Sequence, residues 1–566
     1  MTMAAPTGPA KLRIGVMVDG LSVSNWEATI LRHIVEAPFC ELALFVVNEE
    51  RRPERSLRDR LRANRSLFVY KLYARLDRQI YGRDDDALAS AELLPEFAAV
   101  PRLCTVPIAP RPFEHRLDAE AIDAIREADL DVMLRFGFNI IRGDVLEAAR
   151  YGVWSFHHGD NRHYRGTPSF FWEMYERNPV CGMILQRLTT ELDGGGVLYR
   201  SWSATDPVSL RRGRNRAFSK SAHFVIRRLR DLHMHGWTHL ENLPTYGEHC
   251  DYRKPIYRAP KNRQALRFVA RVATGVLSRR LKDALAREQW IIGYRLRRED
   301  SPPVPADLDG FDVIVPPADR YFADPFLLSD GETDHVLFEE YRYADGKGVI
   351  SSLALNGAPP SAARQVLTHE HHLSYPFTFD WDGEAYMIPE TSAAGTIELY
   401  RAVDKPYRWT RERILMSGVH ASDTTIFDDG RLLWMFSCIA VPGSTPTDEL
   451  FLFWATTLTG AWTAHPMNPI VSDVRGARPA GRIIRSGDML LRPAQDCSTR
   501  YGSAIVMNRI DVLTTTEYAE TQLHRLDGEW APGVLATHTY DAGERYEVVD
   551  GLRWRTRLHR PWSARS

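Results

Sequence analysis

Short apolar runs alternate with amphipathic stretches along residues 11–238. Leu12-Arg-Ile-Gly-Val-Met-Val18 reads as a buried strand, residues 26–35 as a helix and residues 41–47 as a second strand. A charged insertion, rich in Arg and Leu and predicted helical, runs from Arg51 to about Asp86. Residues 119–128 then carry helical spacing, and residues 131–136 and 182–186 read as strands. Strand–helix alternation predicts an α/β domain of Rossmann type on a largely parallel sheet. A dinucleotide fingerprint is missing: Asp19-Gly-Leu-Ser lacks the G-x-G-x-x-G spacing, and Gly194-Gly-Gly196 opens no helix.

From about residue 288 the period changes. An apolar strand, a turn ending in glycine and an aromatic-rich strand recur, with turn glycines at 331, 383, 430 and 487, hence steps of 52, 47 and 57. A β repeat of about 40–50 residues predicts propeller blades. Four hairpins are explicit, and residues 512–540, closed by Trp290-Ile-Ile-Gly-Tyr294, are expected to supply a fifth. The predicted organisation is a disordered N-terminus over 1–10, the α/β domain over 11–238, a linker and connecting helix over 239–287, and an all-β five-bladed propeller over 288–566.

Composition narrows the classes. The 566 residues are 44% apolar and 26% charged, which is globular. Lys plus Arg is 72 against Asp plus Glu 73, so no net field favours nucleic acid as a partner. Only 8 of the 72 basic residues are Lys, the mark of a GC-rich bacterial gene rather than of massed phosphate ligands. Six scattered cysteines form no CxxC pair, which points to a reducing compartment and to no metal. Neither a secretory leader nor an apolar run of about 18 residues is present, so a cytoplasmic protein without a membrane span is expected. A homo-oligomer remains open.

The chemistry-bearing stretch of the first half is Gly152-Val-Trp-Ser-Phe-His-His-Gly-Asp-Asn-Arg-His-Tyr-Arg-Gly166, with Phe136-Gly-Phe-Asn139 before it and Thr190-Glu-Leu-Asp193 after it. A His and an Asp on loops beyond parallel strands stand where α/β sheets place active sites. This stretch resembles the formyltransferase family. The resemblance implies catalytic roles for His157 and Asp193, and puts Tyr164-Arg165-Gly166 on the family's aromatic-Arg-Gly. It also implies a folate pocket at Phe136, Gly137 and Asn139, with 10-formyltetrahydrofolate as donor. The family's Asn is Ser155 here. Formyl transfer passes through an oxyanion that needs aimed donors, and a missing one costs about 2.7–4 kcal/mol. His158, Asp160 or Asn161 could replace it. Asp160, Asn161, Tyr164 and Arg165 are candidate substrate contacts or turn formers, and Arg211-Arg-Gly-Arg-Asn-Arg216 is a phosphate contact or a solvated basic loop.

In the second half, acids and arginines sit at strand beginnings and ends: Asp324, Glu390, Asp423, Arg478, Arg482, Arg492 and Asp496 are the candidate sugar contacts. Phe322-Ala-Asp-Pro325 resembles the first blade of five-bladed arabinanase-type glycoside hydrolases. Together with His372-Leu-Ser-Tyr-Pro376, Ile388-Pro-Glu-Thr391 and Arg492-Pro-Ala-Gln-Asp-Cys497 it is still more similar to the N-terminal domain family of plant glucosamine inositolphosphorylceramide transferases. That resemblance implies a carbohydrate role. Hydrolysis needs two carboxyls flanking the bond, and Asp324, Glu390 and Asp423 could supply them; binding without hydrolysis is expected. His369-Glu-His-His372 lacks the HExxH frame and is no metal site. The expected whole is a formyltransferase-like enzyme modifying a nucleotide- or lipid-linked amino sugar, with the glycan held by the propeller. The alternatives are a propeller-centred hydrolase or glycosyltransferase, and a carbohydrate-binding protein whose first domain has lost its chemistry.

Overall fold

A computed structural model describes residues 10–20, 22–50, 65–83, 86–92, 97–192, 194–248, 256–297, 307–356 and 360–557. The expected disordered N-terminus, much of the charged insertion and Asp193 lie outside them. The chain divides into two compact units, the first essentially residues 1–275 and the second beginning at Val276.

The first unit is built on a seven-stranded sheet. In sheet order its strands are Gly196–Ala204, Val180–Arg187, Val153–His157, Val132–Arg135, Leu12–Val18, Cys40–Asn48 and Arg102–Thr105. The five last named run parallel, and the first two form an antiparallel edge. The central strand Leu12–Val18 is buried almost throughout, as a parallel strand covered on both faces must be. One layer includes helix Asn25–Glu36, opened by a capping box in which Ser24 Oγ accepts from Glu27 N–H while Glu27 returns to Ser24 N–H. It buries Trp26, Ile30, Leu31 and Ile34 against the sheet. The other layer includes helix Ala119–Glu127, with Ile122 and Ile125 inward. The segment 211–216 is part of helix Leu210–Ser221 rather than a basic loop. Its arginines pair with Asp86, Asp206 and the Ser169 carbonyl, so the sequence reading of a solvated loop is corrected.

The second unit is a five-bladed propeller. Blade I comprises Arg320–Ser329, Asp334–Arg342, Lys347–Ala354 and Arg364–Leu367; blade II, Ser374–Trp381, Glu384–Thr391, Thr396–Asp404 and Arg408–Ser417. Blade III holds Ala421–Asp428, Leu433–Ile439, Leu450–Ala455 and Thr463–Ala464; blade IV, Ile484–Ser486, Met489–Asp496, Ala504–Leu513 and Tyr518–Asp527. The four turn glycines each take positive φ between the first two strands of a blade, as their spacing predicts. Blade V departs from expectation. Residues 512–527 belong to blade IV, and the fifth sheet joins Val534–Ala536, Tyr540–Ala542 and Tyr546–Thr556 to Ala286–Leu296 and Asp312–Ile314. Trp290–Tyr294 does lie in the closing strand. Among the described residues no helix is long and apolar enough to cross a membrane.

Candidate functional site

The first strands of blades I, II and III each carry one bulge at the same place. Register breaks between Ala323 and Phe326, Ser374 and Phe377, and Ser422 and Thr425. The residue inside each break takes positive φ: Asp324 at 52°, Tyr375 at 44° and Asp423 at 52°. A non-glycine residue there costs about 1–3 kcal/mol and persists only where its surroundings over-determine it. Those surroundings are hydrogen bonds between blades.

Asp324 accepts from Thr539 Oγ1 (2.9 Å) of blade V and from the Tyr375 N–H (3.2 Å) of blade II. His538 Nε2 lies 3.4 Å from Asp324, and its Nδ1 contacts Asp550. Asp550 also accepts the backbone N–H of Asp324, His538 and Thr539. Tyr375 OH bonds to Thr425 and accepts the Gly481 N–H (2.9 Å), tying blade II to blades III and IV. Arg478 forks onto Asp423 through Nε (2.6 Å) and Nη2 (3.0 Å) and reaches Glu390 (3.2 Å). Gln495 Nε2 donates to the same Asp423 (2.7 Å).

Burial sets the protonation of this ring. It raises Asp423 to about 7, against the opposing Arg478 charge, and raises Asp324. Glu339, which accepts from Tyr321 OH (3.1 Å), is pushed well up by burial and by the Asp324 charge. His538 rises because Asp550 and Asp324 outweigh its burial. The centre is therefore a cluster of buried acids held by hydrogen bonds between blades and by one buried guanidinium fork. Asp423, committed to Arg478 and Gln495, is not a carboxylate standing alone beside a scissile bond. Asp324, His538 and Asp550 offer ligand atoms within 4.8 Å of one another. Asp550 also holds three backbone N–H groups, and the His538 ring lies between its carboxylate and that of Asp324 as an ion-paired bridge.

The other propeller candidates stand elsewhere. Arg482 forks onto Asp541 (2.9 and 3.2 Å). Arg492, 1% exposed, forks onto Glu520 and cannot meet a ligand from there; Asp496 holds the Ser498 N–H and Arg525. Both had been expected as ligand contacts, and both are engaged inside blade IV. Sequence reasoning passed over Tyr375, His538, Thr539, Asp550 and Gln495. A signal for Tyr375 existed: Ala-Asp324-Pro, Ser-Tyr375-Pro and Ser-Asp423-Thr repeat at the blade interval of about 50 residues.

In the first unit, His157 closes its strand two positions beyond Ser155, which pairs with Arg135 at the end of the next strand. Its Nε2 lies 2.9 Å from the Tyr164 carbonyl. A carbonyl only accepts, so Nε2 carries the hydrogen and Nδ1 is the basic nitrogen of the neutral ring. Ser155 is 2% exposed and accepts the Arg135 Nε–H (3.1 Å), while Arg135 Nη1 donates to the carbonyls of Phe138 (3.2 Å) and Asn139 (2.7 Å). The serine thus meets Arg135 rather than open space. His158 cannot stand in for the family's Asn: its half-buried ring stacks on Phe218 and packs edge-on against Trp26, and desolvation lowers it to about 3. Asp160 and Asn161 both accept from Arg200 Nη1, and Tyr164 OH donates to Glu176 (3.1 Å). Arg165 is half-buried, its carbonyl holding the Tyr257 N–H. Gly137 has no room for a Cβ against the Asp19 backbone nitrogen (2.3 Å), and the Asn139 amide lies on His115 (2.8 Å). Phe136, half-buried on Trp26, is the side chain of that segment left to face a ligand.

Glu173, buried in the short helix Phe171–Glu176, has an Oε1 without a hydrogen-bond partner, and burial raises its carboxyl to about 8. A folded-state value above the unfolded one of about 4.3 means that the group favours folding fully below pH 4.3. That contribution is lost as pH rises through about 8. Wild-type protein should therefore lose up to about 1.4 kcal/mol per pH unit between pH 5 and 8 relative to Glu173→Gln. Parallel urea titrations of the two proteins across that window check this, and a stability difference that does not change with pH would contradict it.

The family described as glucosamine inositolphosphorylceramide transferase 1, N-terminal, matches residues 314–537. Glucosamine inositolphosphorylceramide transferase 1 of Arabidopsis thaliana is 32% identical over 249 residues, which cover 41% of this chain and 32% of the relative. The Oryza sativa subsp. japonica protein of the same name is 34% identical over 236 residues, 41% and 31% of the two chains. The chain spans about a third of the length of these curated relatives. Among solved structures, glycinamide ribonucleotide transformylase 1 from Symbiobacterium toebii matches 39% of this chain and 88% of its own at 15% identity and TM-score 0.26. The catalytic domain of an α-L-arabinofuranosidase from Coprinopsis cinerea matches 41% and 90% at 12% identity and TM-score 0.30. The fold is a largely parallel-sheet α/β domain followed by a five-bladed propeller.

Proposed function

We propose that the protein is a transferase of cell-surface glycan synthesis that acts in the cytoplasm on the amino group of a nucleotide- or lipid-linked sugar. The first unit moves a formyl group and the propeller holds the glycan. The observation that carries this reading is that His157 ends the strand whose Ser155 pairs with Arg135 and accepts its Nε–H, which puts a base and a cationic donor at the carboxyl ends of neighbouring parallel strands. As the sugar amine attacks the formyl carbon, Nδ1 of His157 takes the amine proton and the Arg135 guanidinium offers charge to the oxyanion. Collapse of the oxyanion then breaks the bond from the formyl carbon to the donor nitrogen, which leaves with the proton returned by His157. Ser155 acts here as a positioning residue, holding Arg135 in place of the family's amide. For 10-formyltetrahydrofolate as donor the support is narrower: of the expected folate contacts, Phe136 alone keeps a face for a ring, while Gly137 and Asn139 serve the chain's own packing.

The test is direct. Purified protein, an amino sugar carried on a nucleotide, and 10-formyltetrahydrofolate are incubated, and N-formyl sugar is sought by mass. Product supports the reading. No product with any amino sugar, and no thermal shift with a folate analogue, refutes folate-dependent transfer. A second reading, hydrolysis in the propeller, is disfavoured by the Arg478 fork on Asp423; release of reducing sugar by wild type and not by Asp324→Asn would revive it.

A further inference from the structure

Helix Phe68–Tyr81 is built inside out. Its inward side is polar and aromatic: Asp77 is 5% exposed and accepts the Arg211 N–H (2.7 Å), and Tyr73 packs edge-on against Phe268. Its outward side carries Phe68, Leu72, Leu76 and Ile80, which are 63%, 46%, 47% and 69% exposed. These four stand at successive i, i+4 positions, so they form one continuous stripe. Lys71, Arg75 and Arg78 are exposed beside it.

A second helix repeats the pattern independently. Asn262 opens helix Asn262–Leu285 by bonding to Ser66, Arg65 and Val69 at the start of the first, so the two helices begin side by side. That helix has six basic residues and one acidic. Leu277, Leu281 and Leu285 are 59%, 55% and 63% exposed at the same i, i+4 spacing, with Arg279, Arg280 and Lys282 between them.

From these two stripes, one in each compact unit, we infer that each unit docks on an anionic bilayer surface. Exposed apolar stripes flanked by cations are what interfacial helices present: the leucines enter the acyl boundary and the cations meet lipid phosphates. Charge decides against a second copy of the chain as the occupant, because pairing two such helices would bring their cations together within the Debye length of about 8 Å. The near-zero net charge of the whole chain does not oppose this, since attraction to a surface depends on the local field. Docking of this kind places the chain on a membrane without crossing it.

Flotation of the full chain with vesicles decides the matter. At 0.15 M salt, binding is expected to vesicles of phosphatidylcholine and phosphatidylglycerol at 7:3, with much weaker binding to phosphatidylcholine alone. R279Q/R280Q should weaken it roughly 30-fold, from about 1 kcal/mol per cation near the surface. L72Q/L76Q and L277Q/L281Q should each weaken flotation strongly, since each removes one unit's stripe. These side chains are exposed, so the melting temperature of every variant should match wild type and exclude misfolding. Three outcomes overturn the inference: no flotation by wild type, flotation unaffected by all three variants, or a lipid-free dimer that the leucine variants dissolve.

Discussion

Replacing Arg478 by Met lowers the stability of the propeller by about 3–5 kcal/mol at pH 8, the usual cost of leaving a buried charge without its partner. The guanidinium is 6% exposed and holds Asp423 and Glu390 at once, so its loss strands two carboxylates in a centre that already contains Asp324 and Glu339. The loss should shrink at acid pH. Asp423 titrates near 7 in the folded chain, above its unfolded value of about 3.9. Its contribution to folding is therefore complete below pH 3.9 and is lost as pH rises through 7; without Arg478 the folded value climbs further. At pH 5 the variant can keep Asp423 neutral, and urea denaturation at pH 5 and pH 8 should separate the two regimes. Equal losses at both pH values would mean that the fork contributes packing rather than charge compensation.

His157→Ala is expected to cut formyl transfer about a hundredfold to ten-thousandfold, the range for removing a positioned general base, with KM nearly unchanged. The imidazole is anchored by the Tyr164 carbonyl and its removal opens no core cavity, so the fold should survive. Ser155→Ala should act more mildly and through Arg135. With the Oγ acceptor gone, the guanidinium keeps its two carbonyl contacts but loses the one that fixes Nε. Arg135→Lys restores charge without the fork, so kcat should fall in it and in Ser155→Ala alike. Transfer unchanged in Arg135→Lys would remove Arg135 from the chemistry, whereas transfer unchanged in His157→Ala would remove the proposed site altogether.

What could be read from the residues, and what could not, follows from how local each signal is. The parallel sheet was legible because buried strands such as Leu12–Val18 are apolar on both faces. Four blades were legible because one glycine turn marks each of them. Blade V was legible in part, in its closing strand Trp290–Tyr294 and in Tyr540; its partner Tyr546–Thr556 was not, since no local period links Trp290 to Leu552 about 260 residues away. The same gap hid His538, Thr539 and Asp550, whose roles exist only once that blade closes beside Asp324. Arg492 misled for the opposite reason: a charged residue in a motif run looks like a ligand contact, and only its fork with Glu520 reveals a structural arginine. Ser155 read as a missing donor because the residue facing it, Arg135, lies twenty positions upstream on another strand.

The strand that closes the propeller has a bearing on how the chain is made. Ala286–Leu296 is synthesised at the start of the ring, yet along its whole length it pairs with Tyr546–Thr556 at the end. At ordinary rates of about 5–20 residues per second, it waits roughly 13–50 s for its partner. During that interval Trp290, Ile291 and Ile292 form an open apolar edge, the kind of template on which nascent chains stick to one another. The segment just before it is a helix with six basic residues and one acidic, and like charges on neighbouring ribosomes keep such edges apart. The helix that seats the finished protein on a bilayer thereby also shields its unfinished edge during translation.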